Sequence, residues 1–475
     1  MRRDNPGSAS GVSQLTGARG ARLRIARTLA ALALAMLEQS SPGALRASDL
    51  PHGVAGPRVI PRAYLNMPQR SSMQPPALLS QTGVFSDLHT LTPLPGLIPY
   101  DLVVAFWSDG AVKSRLVAIP NRKIAFSAVD EWRFPPGTVF VKTFELPVDE
   151  AEPSVKRRLE TRLLVCAADG SVYGVVYKWR DDGSDADLLQ GSLIENVQIR
   201  TRSGGTRQQP WYYPSRKDCL VCHNARAGGV LGVKTRQLNR VYAYPSGAAR
   251  NQLEAWNDLQ LFTPSLTDTD PATLPRLAAA DDTSRSLEDR ARSYLDANCA
   301  QCHRPGGTVA YFDARYPTPR DRQNIVDGPV LIDEGIDHPR VVAPHDIWRS
   351  IAYMRVNTLD DIKMPPLARE TIDGAGVRLL GAWIDSLPGQ PVLAPPAISP
   401  VGGDFPSAIE VTLTAGEPGA EIHYTLDGSE PGRKDPVYTA PIPLKQSSVV
   451  RARVYKNGFL HSITAQGVFI LGNQP

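Results

Sequence analysis

The chain has 475 residues, with 52 Lys or Arg against 48 Asp or Glu, and it is 42% hydrophobic and 21% charged. That composition excludes collagen-like, coiled-coil and wholly disordered chains, and the length suffices for roughly three domains of ordinary size. Seven Arg and two acids fall within residues 1–47; from residue 48 onward there are 45 basic and 46 acidic residues, so the body of the chain lacks the basic bias of a nucleic-acid binder. Proline, at 42 residues, is abundant and predicts many loops and edge strands.

At the N-terminus, Arg19, Arg22, Arg24 and Arg27 precede the apolar run Leu29–Leu37, and small and turn residues follow from Ser40 to Ala47. A charged start, a short apolar core and a small-residue exit predict a secretory signal over residues 1–47, cleaved after Ala47 or Ala44. A buried helix is the other reading of the same run. A bilayer span needs ~20 apolar residues, so no transmembrane anchor is expected. The destination is the periplasm or the outside of a Gram-negative-type cell.

Residues 84–280 read as a β-rich domain. Leu102–Phe106, Val139–Phe144, Arg162–Val165 and Ser171–Tyr177 are short apolar or β-branched runs, separated by the turn signals Ser108-Asp-Gly110, Asp169-Gly170 and Asp182-Gly183. The domain ends in Cys219-Leu-Val-Cys222-His223. A second copy of that frame follows at Cys299-Ala-Gln-Cys302-His303.

At this composition one such frame arises by chance on the order of once in a thousand chains, and the frame is the c-type haem attachment signal. On a helix, positions i, i+3 and i+4 share a face, so two thiols and an imidazole point at one ligand. The thiols form thioethers with the haem vinyls and the His takes an axial site on iron. Two covalent haems c are therefore expected, held by Cys219, Cys222 and His223 and by Cys299, Cys302 and His303. A four-cysteine zinc site and a pair of disulfides compete for the cysteines; neither explains a His directly after both pairs. Cys166, in an apolar run, reads as a buried free thiol.

Residues 283–388 carry helix signals. Ser286 and Asp289 have capping-box spacing before a helix over 286–299. A second helix fits His345–Val356, with Met354 on its apolar face, and a third fits Asp373–Leu387, with Asp373 as N-cap. Between the last two lies Lys363-Met364-Pro365-Pro366. Met364 belongs to no periodic face, and the prolines fix the backbone behind it; it is the expected second axial ligand, with ordinary loop packing as the alternative. This segment resembles a class I cytochrome c domain, a family of electron carriers. The resemblance implies an all-α fold with His303 and Met364 as axial ligands. The stretch Thr308–Pro344 departs from it and is expected to cover a haem edge or a docking surface.

No Met lies between His223 and Met354. The candidates for a second ligand at the first haem are therefore Met67, Met73, His89, His338 and His345, unless the iron is left open to a small molecule. The β domain with Phe134-Pro-Pro-Gly-Thr-Val-Phe-Val-Lys142 before its Cys-X-X-Cys-His is similar to the hydroxylamine-oxidising c-type cytochromes and their gas-binding relatives. That similarity implies a haem against a β-sheet, and a cross-link to Lys142. A solvated strand face is the plainer reading of the lysine. The block 84–388 also resembles a bacterial family of exported di-haem c-type cytochromes, through Phe106-Trp-Ser-Asp-Gly-Ala-Val-Lys113, Trp211-Tyr-Tyr-Pro214 and Gly232–Arg240; the resemblance supplies no substrate.

Pro388–Pro396, with four Pro in nine residues, is a stiff linker, which predicts a separable C-terminal module. From Ala397 the chain alternates as an all-β piece, with strands at Ile409–Leu413, Ile422–Leu426 and Val449–Val454. Glu421–Pro431 resembles the chitobiase/β-hexosaminidase C-terminal module, an immunoglobulin-like sandwich. The family uses it as an accessory, so Asp427 and Glu430 form a turn and no catalytic residue is assigned.

The fold expected is thus multidomain α+β: a β-rich N-terminal domain, an all-α cytochrome c domain and an immunoglobulin-like β-sandwich over 397–475. The expected function is electron transfer by an exported di-haem cytochrome, with a redox protein or respiratory-chain component as partner and glycan or surface contact through the last module. The alternative is a haem enzyme, a peroxidase or small nitrogen-compound oxidoreductase, using an open first haem with the second as relay.

Overall fold

In the computed structural model, the residues described are 63–245, 249–308 and 311–472; the expected signal peptide lies outside them. A six-stranded antiparallel sheet forms the first half. Its strands, in spatial and chain order, are β1 (Leu97–Pro99), β2 (Val112–Ala118), β3 (Val139–Pro147), β4 (Lys156–Cys166), β5 (Val172–Trp179) and β6 (Ala186–Leu188). Strand alternation sends Val139, Val141, Leu163, Val165 and Val175 to one face, where they pack on Met67, Leu79 and Val84. The other face carries Phe140, Leu164 and Cys166 into a core with Trp132 and Trp256. Further along that face, Phe144 and Val176 pack on Trp211 and Tyr213, from the hairpin β7 (Leu193–Arg200) and β8 (Thr206–Tyr213).

The expected strand at Leu102–Phe106 is irregular backbone. Its polar groups are met by a side chain instead of a ladder: the Val104 N–H donates to Gln237 Oε1 at 2.9 Å, and Gln237 Nε2 donates to the Val104 carbonyl at 2.8 Å. Gly110, Gly170 and Gly183 all have positive φ, as their turns require.

The expected all-α cytochrome c domain is overturned. The described residues contain 21 strands and only seven α-helices: α1 (Arg216–Cys222), α2 (Thr235–Leu238), α3 (Gln252–Asp258), α4 (Leu287–Asn298), α5 (Arg320–Gln323), α6 (Ile351–Val356) and α7 (Gly374–Ser386). Within 283–388 only α4 and α7 are long, at 12 and 13 residues, and most of the segment is irregular. The two long helices have the caps expected, Ser286 accepting from the Asp289 N–H and Asp373 from the Gly376 N–H. They pack at Gly376, where a Cβ would lie 2.5 Å from the Tyr294 ring. Helix α6 starts six residues later than its periodicity predicts. His345 has φ 60°, and the Asp346 carboxylate accepts from the Trp348 and Arg349 N–H groups, turning the chain before the helix begins. Pro317, Pro319, Pro329, Pro339 and Pro344 disfavour regular helix in the long connection.

The C-terminal part is a sandwich. One sheet has β9 (Ala397–Ser399), β11 (Ile409–Thr414) and β13 (Ile442–Leu444); the other has β10 (Gly403–Phe405), β15 (Ala465–Leu471), β14 (Ser448–Tyr455) and β12 (Glu421–Thr425). Val411, Leu413, Val450, Ala452 and Phe469 fill the space between them. The described residues form one compact unit. No helix among the described residues is long and apolar enough to cross a membrane.

Candidate functional site

The first Cys-X-X-Cys-His motif occupies α1, directly after β8. Ser215 caps the helix, Asp218 answers by accepting from the Ser215 N–H at 2.8 Å, and the Tyr212 hydroxyl donates to Asp218 at 2.8 Å. Cys219 is pressed onto β5 at Gly174, where a Cβ would sit 2.8 Å from both its Cβ and its Sγ. His223 ends the helix, its N–H on the Cys219 carbonyl, and its Nδ1 lies 2.8 Å from the Gly229 carbonyl. That contact orients the ring and leaves Nε2 as the nitrogen able to ligate a metal. Burial first, then the nearby Lys142, pull the imidazole down to about 4. Cys219, Cys222 and His223 line a cleft of about 1070 Å³ of atom-free space, mouth included, whose floor is Phe140, Lys142 and Phe144 of β3.

The second motif continues from α4. The Cys299 N–H donates to Leu295 and the His303 N–H to Cys299, so the turn of the helix carries the thiols and the imidazole. His303 stacks on Phe312, with ring centroids 4.2 Å apart. Its Nδ1 is buried with no hydrogen-bond partner, and burial pulls this imidazole too down to about 4. Cys299, His303 and Met364 line one cleft of about 1110 Å³ of atom-free space, mouth included, walled by Ile325, Val341 and Val356. The connection Thr308–Pro344 supplies much of the wall. Tyr311, Leu331 and Ile332 face the cleft yet are 63%, 54% and 60% exposed, an apolar surface that protein alone leaves uncovered.

Met364 is held by a residue that sequence reasoning missed. Buried Arg369 donates through Nη1 to the Val356 carbonyl at 2.8 Å and the Met364 carbonyl at 3.0 Å, and through Nη2 to the Thr358 carbonyl. Met354 is half-buried and does not line the cleft.

The two motifs touch. The Cys222 and Cys302 thiols are neighbours, Cys222 pushed up and Cys302 pulled down by the other. Arg304, the residue after His303, donates to the Arg226 carbonyl at 3.1 Å and to Glu131 at 2.9 Å, fastening the second motif to the first half of the chain. The segment Phe106–Lys113 bridges the same halves: the Trp107 N–H donates to Asn298 at 2.8 Å, and buried Asp109 accepts from the Glu370 and Thr371 N–H groups. Beneath the junction lies a buried ionic cluster. Burial alone would raise the Asp296 carboxyl, but Lys234 at 3.0 Å and Arg236 at 2.9 Å hold it well below its ordinary range.

This arrangement bears on the competing cysteine chemistries. All five cysteines are free thiols. Among the described residues no three or more His, Cys, Asp or Glu side chains converge as a metal site, so the four cysteines do not form the tetrahedron that zinc needs. Each motif instead places thiol and imidazole on one cleft, apolar at the second motif and carrying Lys142 and Arg162 at the first, a donor set that fits a covalently held haem. Cys166 is buried in the first core, and burial pushes its thiol up to about 12. The candidate second ligands of the first haem are elsewhere. Met67 is buried on the opposite face of the sheet, Met73, His89 and His338 are exposed, and His345 Nδ1 lies 2.6 Å from the Asp385 carbonyl. Lys142 does reach the cleft.

No curated protein and no solved structure matches the chain, and the comparisons bring no support for a cytochrome c family over residues 283–388. Residues 400–465 match the family model of the chitobiase/beta-hexosaminidase C-terminal domain, so over its C-terminal sandwich the chain is similar to that family.

Proposed function

We propose that this chain is an exported di-haem c-type cytochrome that passes electrons in the periplasm or at the cell surface. The observation that carries the reading is the pairing of each Cys-X-X-Cys-His motif with its own cleft, the segments that follow the two motifs being joined by Arg304. When bound, each haem would supply one-electron redox chemistry and an iron with two axial positions. His223, oriented by the Gly229 carbonyl, and His303, stacked on Phe312, are the proximal ligands in this reading. Met364, held by Arg369, takes the far side of the second site. At the second site the apolar walls would exclude water and favour a high potential. Intact mass and haem staining on denaturing gels test the reading; two covalent haems per chain are expected, and a mass without them overturns it.

One observation favours a second reading, in which the first site is catalytic. Among the described residues, His223 is the only imidazole lining the first cleft, and no methionine lines it. Iron on His223 would then keep an open position for peroxide or a small nitrogen compound, with the second haem as relay. Binding of carbon monoxide or cyanide at one haem of the reduced protein selects this reading; resistance of both haems selects electron transfer alone.

A further inference from the structure

The sheet face beneath the first motif carries more positive charge than the protein neutralises. Arg115 on β2, Lys142 on β3 and Arg162 on β4 are direct cross-strand partners. Lys113 lies two residues from Arg115, on the same face. Like charges directly opposed across strands are destabilising. Two of the four have carboxylates, Arg115 on Asp101 at 2.6 Å and Arg162 on Glu160 at 2.5 Å. Lys113 donates to the Phe106 carbonyl, at 2.5 Å, and feels the Asp109 carboxylate without a hydrogen bond to it. Among the described residues Lys142 donates to no acceptor; it feels Glu160, which Arg162 already holds, and meets the Phe144 ring, 5.7 Å from its centroid, which it shares with Lys113 at 6.0 Å and Arg162 at 4.4 Å. The carboxylates across the cavity are taken, Asp296 by Lys234 and Arg236 and Glu131 by Arg304. The amines left without a carboxylate of their own are therefore Lys113 and Lys142.

Both lysines line a cavity of about 610 Å³ of atom-free space, mouth included, together with Ser108 and Gln301. Lys142, Ser108 and Gln301 also line the cleft of the first motif, so the two spaces adjoin. Burial, and then the neighbouring cations, depress both amines, Lys142 to about 7. Unpaired ammonium groups in such a place are costly, and a bound anion offsets that cost through charge-assisted hydrogen bonds.

We propose that this cavity is a receptor for a small oxyanion of the size of nitrate, nitrite or formate, held between Lys113 and Lys142 beside the first Cys-X-X-Cys-His motif. A carboxylate of the haem itself offers the same chemistry. The free anion is favoured because Lys142 and Arg162 lie on the cysteine side, within electrostatic reach of Cys219, whereas a haem anchored through its vinyl groups carries its propionates on the opposite edge. The site is built from protein groups; only its position beside an iron rests on the haem reading.

Nitrate, a weak ligand for haem iron, is the probe. Calorimetric titration of the full-length protein as isolated should show one saturable site per chain and a rise in Tm with nitrate. Lys113→Gln and Lys142→Gln should each weaken binding at least tenfold, and in nitrate-free buffer Lys142→Gln should melt no lower than the parent. No saturable binding, or equal binding in both variants, overturns the proposal. So does a parent that rejects nitrate while Lys142→Gln shifts the potential of the first haem, since that places a haem carboxylate on the row. Intact mass on the same samples reports haem separately: a chain without covalent haem that still binds nitrate refutes the haem reading and keeps the anion site.

Discussion

Cys222 and Cys302, one from each Cys-X-X-Cys-His motif and 80 positions apart in the chain, are neighbours that shift one another's thiols in opposite directions. Haems held by motifs that adjoin in this way would exchange electrons without an intervening carrier.

That adjacency is testable without haem. In chain produced without haem attachment, a mild dithiol oxidant such as diamide should link Cys222 to Cys302, two thiols giving one disulfide as diamide is reduced to the hydrazine. Peptide mapping should find this cross-motif bond in preference to the Cys219–Cys222 and Cys299–Cys302 bonds. Buried Cys166, its thiol pushed up to about 12, should stay unmodified. Only intra-motif bonds would remove the relationship.

At the second cleft, Met364→Ala should abolish the weak red charge-transfer band of a His/Met haem and lower the potential. Arg369→Ala should act in the same direction more weakly, because it frees the carbonyls of Val356, Thr358 and Met364 while leaving the thioether in place. Met354→Ala should keep the band. A band that survives in Met364→Ala moves the ligand role to another residue.

The ionic cluster at the junction sets an acid limit. Asp296 is buried, and Lys234 and Arg236 hold its folded-state pKa below the ordinary 3.8. A depressed carboxylate contributes stability that is complete above the unfolded value and is lost as pH falls through the folded one. Asp296→Asn, which leaves buried Lys234 and Arg236 only their longer pairs to Glu131, at 3.6 and 3.8 Å, should cost about 3 kcal/mol near neutrality. The gap between parent and variant should stay constant from about pH 5 to 8 and narrow below the unfolded carboxylate value of about 3.9. A gap that widens on acidification contradicts the cluster. Urea unfolding at a series of pH values measures it.

The sequence reveals local features more readily than tertiary ones. Helices α4 and α7 are legible because Ser286 and Asp373 cap them and their apolar residues recur at helical intervals. β3, β4 and β5 are legible because they alternate between apolar rows. β2 is not: Val112-Lys-Ser-Arg-Leu places Lys113 and Arg115 on an inward face where a strand usually carries apolar side chains. The contact of Cys222 with Cys302 and the hold of Arg369 on Met364 depend on chain crossings that leave no periodic trace. The all-α expectation failed because three helix signals and a Met-Pro-Pro loop describe a small part of 283–388, and the proline-rich connection, which carries no such signal, makes up much of the rest.

The stiff linker before the sandwich predicts few contacts across it, yet the structure ties the two sides together. The Leu393 N–H donates to the Leu460 carbonyl at 3.1 Å and the Leu460 N–H to the Pro391 carbonyl at 2.8 Å, so the linker lies along its own module. Buried Arg349, ahead of α6, spans the boundary. It pairs with Asp337 at 2.9 Å and Asp346 at 3.0 Å on its own side, and donates to the His461 carbonyl at 3.2 Å on the other. Arg349→Ala strands the buried Asp346 carboxylate and should cost about 3–5 kcal/mol. A chain ending at Leu387 keeps both carboxylates and loses the sandwich-side acceptors together with Arg453, which lies 3.5 Å from Asp337, so it should be destabilised by less than Arg349→Ala, with the loop around Asp337 exchanging amide hydrogens faster than in the full chain. Parent, variant and truncated chain can be compared by thermal unfolding and hydrogen exchange. An unchanged Tm and unchanged exchange in the truncated chain would restore the sandwich as an independent appendage; a shift confined to that loop assigns the boundary to Arg349.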